Sequence, residues 1–320
     1  MPFHWEYSQS TIASKVGAGH PEFFSPPMDL WYKGKTGMST PYGQQALAYL
    51  AVGANSSAGA FDPRAVEAAY WALYNPAVCP GNGGGWYLDE STREFISNVQ
   101  AGRHYPNSGG NDNQADAAAH MVAVVALLAG NTSLLLDTLE PVIRVTQDTQ
   151  DAAAFGSAAA RLLEKALTLN VTAAQAVALT AADLQDPARA HPYPQDAALA
   201  AALLGAAAAA ASGEGSASFI LKTGQSCDYP FTLPNVAFLM CAVGDDVTSG
   251  FIAGARQNIL AGGDSGSRGV FLGAIQGARL GSKDLLPSDW AAKTDELAQV
   301  RPLAAALVAR RAAAPSPLST

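Results

Sequence analysis

The segment NQADAAAHMVAVVALLAG, from Asn113 to Gly130, is apolar on nearly every side of its middle turns. A helix like that offers no face to water, so it has to lie at the centre of a fold with other helices around it. The rest of the chain supplies such helices. PYGQQALAYLAVGANS opens on turn chemistry and continues at helical spacing, and DPRAVEAAYWALYN has Asp62 as N-cap and Pro63 at the first helical position. QDAAAFGSAAARLLEKALTL, TAAQAVALTAADLQ, PQDAALAAALLGAAAAAAS, PFTLPNVAFLMCAVG (with Pro234 near its first turn) and VTSGFIAGARQNILAGG each read as one helix. In TSLLLDTLEPVIRVTQ, Thr132 or Ser133 is the expected cap and Pro141 the expected break. No succession of β-branched runs alternates with period two. The predicted fold class is all-α.

Of 320 residues, 49% are hydrophobic and 14% charged. That is enough to bury a large core and too apolar for a disordered chain. A net charge of −8 with no basic stripe excludes attraction to a nucleic-acid backbone. The alanine-rich run Ala197–Ala211 lies between Asp196 and Glu214 and is weakly apolar, which predicts a packed helix and no membrane partner. The opening MPFHWEYSQSTIASKVG lacks an apolar signal core, and Cys79, Cys227 and Cys241 have neither disulfide nor zinc spacing, so an intracellular, cytoplasmic location is expected. A single all-α domain is predicted over 1–300, with an irregular N-terminal segment at 1–38. Residues 301–320 are assigned to an Ala/Pro/Ser-rich tail, whose last residues, RRAAAPSPLST, are expected to fray.

Chemistry concentrates in LAGGDSGSRGVFLGAIQGARLG, residues 260–281. Glycines let backbone approach a ligand, and Ser265 or Ser267 could cap the helix that follows. A divalent cation could bind Asp264, or an anion could use the free N–H groups and Arg268. The simpler reading, which is favoured, pairs Asp264 with Arg268 on the helix surface and uses Gly269, Gly273 and Gly277 to admit a neighbouring helix.

A second stripe places Asp112, Asp116 and His120 four residues apart, on one helix face, where they could hold a metal. The favoured reading there is acids at a helix N-terminus with His120 packed behind them. Cys227, His104 and His191 lie in loops without a partner at motif spacing, and PGNGGG lacks the Lys-Ser/Thr of a phosphate loop.

Taken in order, these segments resemble the ADP-ribosylglycohydrolase superfamily. NILAGGDSGSRGVFLGAIQGARLG is similar to its GGDTDT turn and Gly/Ala-rich helix, and TLPNVAFLMCAV to the helix before it. PVIRVTQDTQDAAAFGSAAARLLEKAL resembles a family helix, with Gln147 where histidine is usual, and GMSTPYGQQALAYL falls where the family has TDDT. TPYGQQ, NDNQADAAAHMVAVVAL, GQSCDYP and GGDSGSR together resemble the crystallin J1 and selenoprotein J branch. The resemblance implies a compact orthogonal bundle of many helices. It also implies hydrolysis at the anomeric carbon of ADP-ribose by two Mg²⁺ ions held between a Thr-Asp-Asp turn and an Asp-x-Asp-Thr turn.

Here the first turn reads Thr40-Pro41-Tyr42-Gly43-Gln44-Gln45, without a carboxylate, and the second keeps Asp264 but has Gly266 in place of the second acid. One carboxylate cannot offset the charge of two divalent ions. The expectation is therefore a degenerate magnesium site, with Asp264, Thr40, Gln44 and Ser267 as its residue, and no cofactor. The protein would be non-catalytic, serving as a crystallin-like structural protein or as a subunit of a larger protein assembly. The alternative is a Mg²⁺-dependent hydrolase or binder of ADP-ribosyl groups. In that case Arg268, Ser265, Asn111 and Asp112 would contact ligand or phosphate, and Tyr42 or Trp86 would stack on adenine.

Overall fold

The computed structural model describes residues 2–28, 34–56, 61–79 and 87–313. They form fifteen α-helices in chain order: α1 (Gln9–Val16), α2 (Pro41–Asn55), α3 (Pro63–Tyr74), α4 (Glu90–Gln100), α5 (Ala117–Leu128), α6 (Thr132–Ile143), α7 (Gln150–Thr168), α8 (Ala173–Gln185), α9 (Asp196–Ala211), α10 (Ser216–Thr223), α11 (Tyr229–Ala242), α12 (Val247–Leu260), α13 (Ser265–Leu280), α14 (Ser288–Ala292) and α15 (Leu297–Ala313). Among the described residues there is no strand, only two isolated bridges, Gly110 with Gln147 and Gln114 with Asp228. The bridges pin the loop before α5 between two other loops.

The apolar α5 is the hub. Met121, Val124, Val125 and Leu128 are buried, and α2, α6, α7, α13 and α15 pack around the helix. Gly156 in α7 shows how closely they pack: a Cβ there would lie 2.3 Å from Ile143 Cδ1 and 3.2 Å from Ala117 Cβ, so a side chain at this position would force three helices apart. The alanine-rich α9 buries one stripe, Ala200, Leu203 and Ala206, against its neighbours. Among the described residues no helix is long and apolar enough to cross a membrane.

Several local expectations are corrected. The 1–38 segment is not wholly irregular: α1 forms there, with the Ser8 side chain accepting from Thr11 N–H, and Phe3 and Ile12 are buried with Ile259. The cap of α6 is Asn131, one residue before Thr132, and the helix runs through Pro141 to Ile143. Pro141 sits in the last turn, where few further backbone bonds depend on it.

The 301–320 segment is helical as far as Ala313, as part of α15. α15 carries Arg310 onto the carbonyls of Ala54 and Ser56, and Arg311 onto those of Ala126 (3.0 Å) and Ala129 (2.8 Å). These carbonyls lie at the C-terminal ends of α2 and α5, where helix oxygens lack internal partners and attract cations. The expected tail beyond Ala313 lies outside the described residues.

The glycine stripe of α13 is also not a helix-packing face throughout. A Cβ at Gly273 or Gly277 would meet nothing within 4 Å.

Candidate functional site

The N-termini of α2 and α13 meet over one buried carboxylate. Asp264, not Ser265 or Ser267, is the N-cap of α13. Its Oδ1 accepts from the N–H groups of Gly266 (3.0 Å) and Ser267 (2.9 Å), and its Oδ2 accepts from the Tyr42 hydroxyl of α2 (2.8 Å). A third partner comes from the N-terminal segment, where His4 Nδ1 lies 3.2 Å from Oδ1. His4 Nδ1 is also 3.3 Å from Gly266 N. One nitrogen cannot both give and accept a proton, and the carboxylate takes the Nδ1 hydrogen because the charged acceptor is stronger. Burial would raise the Asp264 pKa, but His4, the Ser267 N–H and Tyr42 together hold it at about 2.

The glycines before Asp264 have a specific cause. Trp5 N–H donates to Gly263 O (3.0 Å) and Gly263 N–H donates to Glu6 O (2.7 Å), so residues 3–8 lie as a strap across the turn. Gly262 and Gly263 have φ of +74° and +68°. A Cβ on Gly262 would sit 2.9 Å from Glu6 O, and one on Gly263 would sit 2.3 Å from Gln225 O. The turn therefore needs glycine both for backbone handedness and for close approach. At Gly266, where the family pattern has its second acid, a Cβ would lie 2.9 Å from His4 Cε1. The imidazole takes the space that an acidic side chain would need. Trp5 completes the strap, packing on His4 and on Tyr87 at ring centroid distances of 4.4 Å.

Arg268 neither lies on the helix surface nor faces a ligand. It is fully buried, with Nε donating to Asn258 Oδ1 (2.8 Å) and a terminal nitrogen donating to Gly262 O (2.5 Å). Burial lowers its pKa to about 10, still a cation at neutral pH. Its guanidinium braces the Gly262–Gly263 turn from behind.

Tyr42 is buried with its hydroxyl on Asp264, so its ring is not presented for stacking on adenine. The Thr40 side chain caps α2 by accepting from Gly43 N–H (3.3 Å), and the Ser267 hydroxyl donates to Asp264 O (3.3 Å). Ser265 is buried with its hydroxyl unpartnered, and Gln44 is buried on α2. Asn111 is exposed, its N–H on Glu94. Trp86 lies outside the described residues.

A second polar centre lies across the base of α2, α4 and α5. The stripe expected on one helix face is broken, because α5 begins at Ala117 and leaves Asp112 in the preceding loop. Asp112 and Asp116 instead converge with Asp89, the N-cap of α4. One oxygen from each lies within 4.8 Å of the others, and all three residues are buried. Gln45 bridges the cluster to His120. Its amide nitrogen donates to Asp89 Oδ2 (2.5 Å) and points to Asp116 Oδ1 (3.4 Å), and its oxygen accepts from His120 Nε2 (3.2 Å). His120 stacks on Tyr49 at 4.3 Å, and burial lowers its pKa to about 3, so the ring is neutral.

Ser91 Oγ lies 2.6 Å from Asp116 Oδ2 and 3.1 Å from Asp89 Oδ1. A hydroxyl has one hydrogen to give, so one of these contacts needs a proton from a carboxyl group. Burial first, and then the charges of Asp89 and Asp112, raise the Asp116 pKa well above the ordinary value, which favours that proton on Asp116. A divalent cation would replace that proton as the source of neutralising charge.

Asp89, Ser91, Gln45 and His4 escape a reading of the sequence. Asp89 in LDESTREF carries a helix-cap signal and nothing more. His4 has no local signal at all, since only the fold brings it to Asp264.

A helical bundle that brings the N-termini of two sequence-distant helices together over one aspartate is the class the fold and site define. The chain matches the ADP-ribosylglycohydrolase family over residues 1–317 and belongs to that family. A solved structure described as "ADP-ribosylglycohydrolase-related protein complex" is 20% identical, with a TM-score of 0.62 over 94% of this chain and 93% of that chain, a likeness of fold. No curated protein matches the sequence.

The family is typically metal-dependent. The residues between the α2 and α13 turns do not fit such ions. Asp264 is the sole carboxylate of the two turns, both its oxygens are held by protein donors, and His4 fills the space beside Gly266. Hard divalent ions need several free oxygens in open geometry.

Proposed function

We propose that this chain is a non-catalytic member of the ADP-ribosylglycohydrolase family with a structural role, either crystallin-like or as a subunit of a larger protein assembly. The observation that carries the reading is Asp264, whose two oxygens are bonded by Gly266, Ser267, His4 and Tyr42. Without metal ions there is no activated water and no stabiliser for charge developing at an anomeric centre. The strap of residues 3–8 over the turn supports the same reading, because it carries His4 onto Asp264 and into the space beside Gly266. TPYGQQ, NDNQADAAAHMVAVVAL, GQSCDYP and GGDSGSR support membership of the crystallin J1 and selenoprotein J branch. Calorimetric titration with Mg²⁺ and Mn²⁺ tests the proposal: heat at micromolar metal that Asp264→Ala abolishes would overturn it.

A second reading keeps a cation, and with it a Mg²⁺-dependent hydrolase or ADP-ribose binder. It is favoured by the convergence of Asp89, Asp112 and Asp116. The same titration separates the readings, since heat lost in Asp116→Asn but kept in Asp264→Ala would place the cation at the second centre.

A further inference from the structure

We propose that the cavity beside the α2 and α13 N-termini binds an uncharged aromatic small molecule. The cavity holds about 410 Å³ and opens between the loop before α2, helix α12 and the first turn of α13. That volume falls in the range of small-molecule sites. Phe23, Met38, Ile259, Val270 and Trp290 supply its apolar walls. Trp290 meets Phe23 at 6.0 Å and Phe251 at 5.9 Å, an aromatic corner against which a flat ring can pack.

The charged groups of the wall each have a partner. Glu22 takes a two-pronged contact from Arg256, with a closest distance of 2.6 Å, and Lys35 lies 2.8 Å from Asp295. The hydroxyls of Thr36 and Thr294 donate to the backbone oxygens of Phe24 and Trp290. Among the described lining residues there is no buried cation, and exposed Lys35 already has Asp295 beside it, so a diphosphate would lose hydration against the apolar walls without a buried charge to replace it. A neutral ring loses only unfavourable contact with water. The site therefore selects against ADP-ribose and other nucleotides.

The test uses the full chain and the uncharged fluorophore N-phenyl-1-naphthylamine, whose emission rises in apolar surroundings. Saturable enhancement is expected, unaffected by millimolar ADP-ribose. Ala255 lines the cavity, so Ala255→Phe should fill it and weaken the probe about tenfold or more. Trp290→Ala, which removes the aromatic wall from a short surface helix, should do the same and serves if the first variant does not fold. No saturable enhancement, equal binding by a folded variant of either kind, or displacement by ADP-ribose would each overturn the proposal.

Discussion

Replacing Asp264 with asparagine removes a charge while keeping an oxygen for the α13 cap. The carboxyl titrates at about 2 in the fold against an ordinary value of 3.8, and it is fully buried. At about 1.4 kcal/mol per pKa unit, the charged form contributes on the order of 2 kcal/mol to stability at neutral pH. The sign follows from the lowered pKa: the contribution is complete above the unfolded value and is lost as pH falls through the folded one. Urea unfolding at pH 7 should therefore show Asp264→Asn weaker by about 2 kcal/mol, with the gap closing between pH 4 and pH 2. The loss should be the same in chelator and in Mg²⁺, because the stabilising partners are His4, Tyr42 and backbone N–H groups. A loss seen only with Mg²⁺, or none at pH 7, would refute the reasoning.

Three further outcomes are expected. Because the Asp116 pKa is raised, the folded state keeps a proton over a range of pH in which the unfolded state has released it, so stability should fall as pH rises above the unfolded value, by at most about 1.4 kcal/mol per pH unit; urea midpoints followed upward from the unfolded carboxyl value should show the slope flattened in Asp116→Asn. Gly266→Ala should cost about 1–3 kcal/mol through contact with His4, and a thermal-melt cycle should find a smaller cost in the His4→Ala background. Arg268→Leu should cost about 3 kcal/mol in urea unfolding, since Asn258 Oδ1 and Gly262 O would lose their donor inside the protein.

The helical architecture was legible because its signals are local. Asp62-Pro63 starts α3 where cap chemistry places it, and the apolar α5 is central as its all-round hydrophobicity requires. The absence of acids at Gln44 and Gly266 was visible too, as residue types. What took their place was not. His4 reaches Asp264 across 260 positions, and Asp89 reaches Asp112 and Asp116 only once α4 is folded against the α5 loop. Spacing by four misled at Asp112, because the helix starts later than the pattern, and again at Gly273 and Gly277, because periodicity does not say which face is covered. Arg268 shows the same limit: four residues from Asp264 suggests a surface pair, and burial among backbone oxygens makes it a brace.

The most direct measurement is release of ADP-ribose from ADP-ribosylated arginine and serine substrates by the full chain in millimolar Mg²⁺. The account predicts release no faster than in buffer alone, and no slower for Asp264→Asn than for the native sequence. Turnover by the native chain that Asp264→Asn abolishes would contradict it.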